Sequence, residues 1–201
     1  MMRELDHRVK NLLAIILSIA EISARSNDDI ETYKNDFRAR LESMARTHNL
    51  LAQTQWTGSD LNSLVEEEVY SLVPKETAKI SGPSVEISPA ATQSLAMFFH
   101  ELTVNAIKHG ALAADDGRIE ISWEIEKSDG ERLQLQWSES CGGDVSAPSK
   151  EGFGGKVINR IVKRQLDAEV NTNWDASGMQ LTASIPLRSI AASSTLDRVD
   201  S

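Results

Sequence analysis

The segment HELTVNAIKHGAL, His100 to Leu112, decides how this chain is read. Helical geometry puts Glu101 and Asn105 one turn apart on one face, and Lys108 follows on the same side. Leu95, Met97, Phe98 and Phe99 make the preceding turns unusually apolar. Pro89 suits a first helical position and Gly110 a stop, so the helix is predicted from Pro89 to about His109. A carboxylate, a carboxamide oxygen and an ammonium on one face suit Mg²⁺ with nucleotide phosphates. Magnesium takes oxygen ligands and keeps several waters, and a lysine neutralises phosphate charge. The plainer reading is a solvated polar face. The apolar character of the helix favours a cleft.

Outward from this helix the texture is mixed. Ala78–Ser81 and Val85–Ile87 are short strand candidates, and Arg118–Glu126 and Arg132–Glu139 alternate apolar and polar residues around the turn Ser128-Asp129-Gly130. Residues 168–174 and 178–186 form a closing hairpin with its turn near Asp175–Gly178. These elements predict an α+β sandwich, with helices over an antiparallel sheet. Between them run two glycine clusters, Gly142-Gly143 and Gly152-Phe153-Gly154-Gly155, the second opening a helix through Gln165. Glycines before a helix N-terminus let backbone N–H groups approach a phosphate. The spacing is neither the dinucleotide fingerprint nor a P-loop. Glycine clusters alone are common in surface loops; beside Glu101, Asn105 and Lys108 they gain weight.

The N-terminal part reads differently. Leu5, Val9, Leu12, Ile16 and Ile19 mark an apolar stripe over a helix of residues 2–25, and Ser26-Asn27-Asp28-Asp29 is turn chemistry. A second helix carries Phe37, Leu41, Met44, His48 and Leu51 on one face. The two make an antiparallel helical hairpin, which a second copy would complete into a four-helix bundle. The pattern breaks at Trp56-Thr57-Gly58-Ser59, with Asp60 capping a helix from Leu61 to Val73. The expected division is therefore a hairpin domain over 1–58, a second domain over 59–188 and a loose Ser- and Asp-rich tail over 189–201. His7 lies ~200° around the first helix from Leu5, away from the stripe. It is thus an exposed imidazole near its ordinary pKa, able to act as a nucleophile, with Asp6 adjacent to orient it or take its proton. Most surface histidines are merely solvated. His48, by contrast, falls on a stripe and reads as a core residue.

The chain has 201 residues, 40% apolar and 25% charged, with a net charge of −9 from 30 acidic and 21 basic side chains. That balance argues against a nucleic-acid partner, which needs clustered Lys and Arg. No apolar run approaches the ~20 residues that span a bilayer. A lone cysteine, Cys141, forms no internal disulfide, and a cytoplasmic location is expected.

Taken in order, these pieces resemble the HWE-type sensor histidine kinases, named for a His in the nucleotide-binding helix and a Trp-x-Glu beyond it. ELDHRVKNLLAIILSIA is similar to the phospho-acceptor box, and RTHNLLAQTQW with DLNSLVEEEV to the second hairpin helix and its continuation. HELTVNAIKHGAL supplies the His, WSES the Trp and Glu, and GFGGKVINRIVKRQL the glycine box. The resemblance covers residues 4 to 187. It implies a Bergerat-type ATP-binding domain, ATP and Mg²⁺ as cofactors, and autophosphorylation of His7. It further implies transfer to a response-regulator receiver domain in two-component signalling, a sensor domain upstream or in trans, and a possible homodimer through the hairpin. Carried over, Asn105 holds Mg²⁺ with Glu101 beside it, Lys108 and His109 lie near the phosphates, and Glu139 accepts from the adenine amine. Gly142 stays in the loop, while Gly152, Gly154 and Gly155 end a mobile lid. The family usually reads Trp-x-Glu-x-Gly-Gly-Pro; here Cys141 replaces the first glycine and Gly143 the proline, so the loop is expected to be shifted or less rigid. An ATP-independent histidine phosphotransferase leaves Glu101, Asn105 and the glycine clusters unexplained. A serine-phosphorylating or switch ATPase leaves His7 unexplained.

Overall fold

The computed structural model describes residues 16, 17, 20, 29–127, 130–142, 165–175 and 178–192. Of the predicted first hairpin helix, Ile16, Leu17 and Ala20 are helical; the rest lies outside the described residues. Helix α1 spans Ile30–Gln53, and the Asp29 side chain accepts from the Thr32 N–H at 2.8 Å, as an N-cap should. Asp60 does the same for α2 (Leu61–Tyr70), accepting from the Ser63 N–H at 3.2 Å. Helix α3 occupies the predicted limits, Pro89–His109, with Ser88 as N-cap and Gly110 closing it.

Strands β1 (Ser59–Asp60) and β3 (Glu86–Ile87) form a small antiparallel pair. The expected Val85–Ile87 strand is therefore shorter and stands outside the main sheet. That sheet contains β2 (Ala78–Ser81), β4 (Arg118–Glu126), β5 (Arg132–Ser140), β6 (Glu169–Asp175) and β7 (Gly178–Pro186), in the order β2-β4-β5-β7-β6. Its expected all-antiparallel character needs one correction: β2 pairs with β4 in parallel. The reason is the crossover. Helix α3 carries the chain back to the starting end of the sheet, so the next strand repeats the direction of β2.

The sheet's inward row shows the two-residue period. In β4 it is Ile119, Ile121 and Trp123; in β5 it is Leu133, Leu135 and Trp137. Leu64, Val65 and Val69 of α2 and Leu95, Phe98, Phe99 and Leu102 of α3 complete one core with them. Phe98 and Phe99 meet edge to face, ring centres 5.3 Å apart.

Two further expectations change. The tail is expected to be loose from residue 189, yet Leu187–Ile190 is a short helix, α4, with Leu187 and Ile190 buried. Ser88 N–H donates to the Ile190 carbonyl at 2.7 Å and Ala192 N–H to the Glu86 carbonyl at 3.1 Å. Two apolar side chains and these backbone bonds outweigh the polar composition up to Ala192; residues 193–201 lie outside the description. The second change concerns α1. Of its expected stripe Leu51 is buried, but Phe37, Leu41, Met44 and His48 are only half-buried, whereas Arg40, Ser43 and Thr47 are buried. His48 instead packs edge-on against Trp56 at 4.8 Å.

Phe99 is fully buried at the centre of this core. Phe99→Ala should therefore lower unfolding free energy by about 3–5 kcal/mol. Urea denaturation is the measurement; a loss under ~1 kcal/mol would place the core's centre elsewhere.

Candidate functional site

The inward row of β5 ends on a charge. Glu139 follows Trp137 by two residues, so it continues the apolar face and is only 2% exposed. Its carboxylate survives there because both oxygens are satisfied. Ala111 N–H donates to Oε2 at 2.9 Å, and the Trp137 indole N–H donates to Oε1 at 3.1 Å. Burial pushes the Glu139 carboxyl above its ordinary range, and the two hydrogen bonds oppose that shift. The backbone makes room for it on two sides. A Cβ at Gly110 would lie 2.1 Å from Glu139 Oε2, so the exit from α3 tolerates no side chain there. At Gly178 the φ of +148° and a Cβ 2.8 Å from Glu139 Cβ impose the same demand. Glu139 thus ties the end of β5 to the end of α3, beside His109. Beyond it, Gly142 N–H donates to Asp116 Oδ2 at 2.9 Å, anchoring the first glycine of the loop. Asp116 was not among the predicted residues, although Asp115-Asp116-Gly117 is a plain turn signal.

The three residues expected to converge on α3 do not stay together. Asn105 is half-buried and His109 exposed, but Glu101 turns toward α1. Arg40 grips it with two bonds, Nε to Oε1 at 2.7 Å and an Nη to Oε2 at 3.2 Å, with both residues buried. Lys108 pairs with Asp36 of α1 at 2.5 Å. Angles around α3 give the reason. With Asn105 at zero, His109 lies at ~+40°, Glu101 at ~−40°, Lys108 at ~−60° and Val104 at ~−100°. Helix α1 packs on the negative side, where Asp36, Ala39 and Arg40 face His100, Val104, Ile107 and Lys108 across a cavity of about 150 Å³. The two charged residues sit on the border and are taken by α1.

A second buried carboxylate supports this contact. Glu68 of α2 accepts from Ser43 Oγ at 2.8 Å, Arg46 at 3.0 Å and Thr47 Oγ1 at 3.2 Å. His100 Nδ1 stands 4.0 Å from Glu68 Oε2. Burial raises the carboxyls of Glu68 and Glu101, with Arg46 and Arg40 opposing it respectively. Burial, then the nearby Arg40 and Arg46 cations, push His100 down to about 4. At neutral pH the cluster therefore holds two guanidinium groups, two carboxyls and a neutral imidazole. Apolar periodicity overlooked it, because its members are polar and distant in sequence.

Among the described residues no group of three His, Cys, Asp or Glu side chains could cage a metal. The half-buried Asn105 carboxamide fits Mg²⁺ only in the manner magnesium prefers, with phosphate and water oxygens completing the shell. His7, Asp6, Gly152, Gly154 and Gly155 lie outside the described residues. No described helix is long and apolar enough to cross a membrane.

Comparison with known proteins fits this geometry. Residues 4–84 match the family described as HWE histidine kinase. A blue-light-activated histidine kinase of Rhizobium johnstonii is 34% identical over 186 residues, spanning 92% of this chain and 53% of that protein. One of Brucella anthropi is 30% identical over 188 residues, spanning 92% of this chain and 38% of that protein. The chain thus spans about half or less of the curated relatives it matches. Among solved structures, the histidine kinase domain of an Erythrobacter litoralis blue-light-activated histidine kinase superposes with a TM-score of 0.58 at 14% identity, covering 89% of this chain and 95% of that one. A longer form of that protein gives 0.63 at 18% identity, covering 92% and 58%. At such identities the likeness establishes the histidine-kinase-domain fold.

The His100 shift has a readable consequence. Its folded pKa of about 4 lies below the ordinary 6.5, so the unfolded chain takes up the proton first as pH falls. Stability from this group is complete above about pH 6.5 and is lost toward pH 4, whereas the raised carboxyls act in the opposite sense. Relative to His100→Asn, the parent should lose about 2 kcal/mol of unfolding free energy between pH ~7 and ~4.5. Denaturant titration at the two pH values measures it; a difference that does not move would show that His100 is not held neutral.

Proposed function

We propose, because residues 4–84 match the family described as HWE histidine kinase, that the chain is an ATP-dependent histidine kinase core. It phosphorylates its own His7 and passes the phosphoryl group to an aspartate of a response-regulator receiver domain. The observation that carries this reading is the Glu139 junction. It brings the Trp-x-Glu motif against the end of the helix bearing Asn105, Lys108 and His109, two motifs that lie apart in sequence.

Residues present suit each task. The Glu139 carboxylate already accepts from an indole and an amide, and each oxygen keeps a second lone pair for the exocyclic amine of adenine. Guanine offers a carbonyl there, which a carboxylate disfavours. Asn105 would supply an oxygen to Mg²⁺, and Lys108 and His109 would serve the phosphates, while Glu101 is held by Arg40. Gly142, Gly152, Gly154 and Gly155 allow close backbone approach. Bound Mg²⁺ neutralises phosphate charge. In the transfer itself a neutral His7 ring nitrogen attacks the γ-phosphorus. The N–P bond forms as the bond to the β,γ-bridging oxygen breaks, leaving ADP with the electron pair, and the imidazole proton passes to Asp6 or water. The phosphoryl group then moves from nitrogen to a carboxylate oxygen of the receiver domain. Input from a sensor domain upstream or in trans, a hairpin homodimer and a cytoplasmic location complete the proposal.

Incubation with γ-labelled ATP and Mg²⁺ tests it. The parent should acquire acid-labile label, His7→Ala should acquire none while keeping nucleotide affinity, and folded Asn105→Ala should lose MgATP binding by calorimetry. Parental labelling of His7→Ala would remove His7 from the reaction; parental affinity in Asn105→Ala would move the metal site.

A further inference from the structure

We propose that helix α1 and the nucleotide compete for Lys108, so that docking of the hairpin helix and binding of MgATP oppose each other. The inference rests on the phosphate site proposed above and adds its regulation. Asn105 and His109 face one side of α3, and α1 covers another. Lys108 stands between them, ~60° from Asn105 around the helix. Its four-carbon stem lets the ammonium reach either side. With α1 docked, the ammonium is bonded to the Asp36 carboxylate at 2.5 Å. One turn further along α1, Arg40 places a guanidinium on Glu101, about two turns before Lys108 on α3. Helix α1 thus offers Lys108 an anion, the charge that a phosphate would offer it, and occupies Glu101 with a cation. One ammonium cannot serve a phosphate on the Asn105 side while held against Asp36.

Linkage makes the relation reciprocal: if docking weakens MgATP binding, MgATP must weaken docking by the same factor. Lys108 is partly exposed, with 41% of its side chain accessible, so the effect is modest. Exposed ion pairs of this kind correspond to about two- to fivefold in an equilibrium constant. Calorimetry with MgATP on the full chain reads it. Asp36→Asn should tighten binding about two- to fivefold. Glu42→Gln removes the same charge from the exposed side of α1, where Glu42 pairs with Arg38, and should leave affinity unchanged. In the parent, saturating MgATP should speed amide exchange in residues 36–47. Equal affinities for Asp36→Asn and Glu42→Gln, or exchange in α1 that MgATP leaves alone or slows, would overturn the competition. A parent that binds no MgATP would overturn the phosphate site itself, and the competition with it.

Discussion

The bidentate contact between Arg40 and Glu101 is the constraint on which the arrangement of helices depends. Both side chains are almost wholly buried. Neither can stand alone, because an unpaired charge in such a place costs several kcal/mol. Helix α1 must therefore present Arg40 to Glu101, and Phe37, Leu41 and Met44 are left only half-buried, while Leu51 is fully buried. The same logic governs Glu68, which Ser43, Arg46 and Thr47 satisfy from one face of α1. An apolar interface would tolerate a helix sliding by a residue. A fork of two hydrogen bonds and a thrice-satisfied carboxylate tolerate far less, so the contact selects a register.

Helix α3 serves two masters. Its Leu95, Phe98, Phe99 and Leu102 side is sealed under the sheet, which fixes where its other residues point. The end of the helix is located independently by Glu139, whose carboxylate holds Ala111 N–H and leaves no room for a side chain at Gly110. Core packing sets the helix's rotation and Glu139 its terminus. Together they determine the positions of Asn105, Lys108 and His109, which is why a core strand ends on a glutamate.

Much of this was legible in the residues. Pro89 and Gly110 mark the limits of α3 because each has a local backbone reason to stand there. The two-residue period of Arg118–Glu126 and Arg132–Glu139 identifies strands whose one face is buried. The Trp137-x-Glu139 pair also follows from that period, since residues two apart share a face. What escaped the reading depended on distant partners. Arg40 and Glu101 are separated by 61 positions, and nothing in the helix of either announces the other. Apolar counting assigns Phe37, Leu41, Met44, His48 and Leu51 to the packed side of α1, and only Leu51 is fully buried, because the count cannot see that Ser43 and Thr47 have a buried carboxylate to satisfy. The parallel pairing of β2 with β4 was missed for a similar reason: it is decided by the crossover through α3, outside either strand. Leu187 and Ile190 were lost in a polar context, although their spacing suits one face of a turn.

A double-mutant cycle on the central pair tests this account most directly. Arg40→Met and Glu101→Gln should each destabilise the folded chain, by about 3–5 kcal/mol for the change that leaves a full charge buried. The double variant should cost clearly less than their sum, with a coupling above about 1.5 kcal/mol, read from denaturant unfolding. Losses that simply add would mean that the pair does not hold α1 against α3, and that the buried polar contact is not what fixes this arrangement.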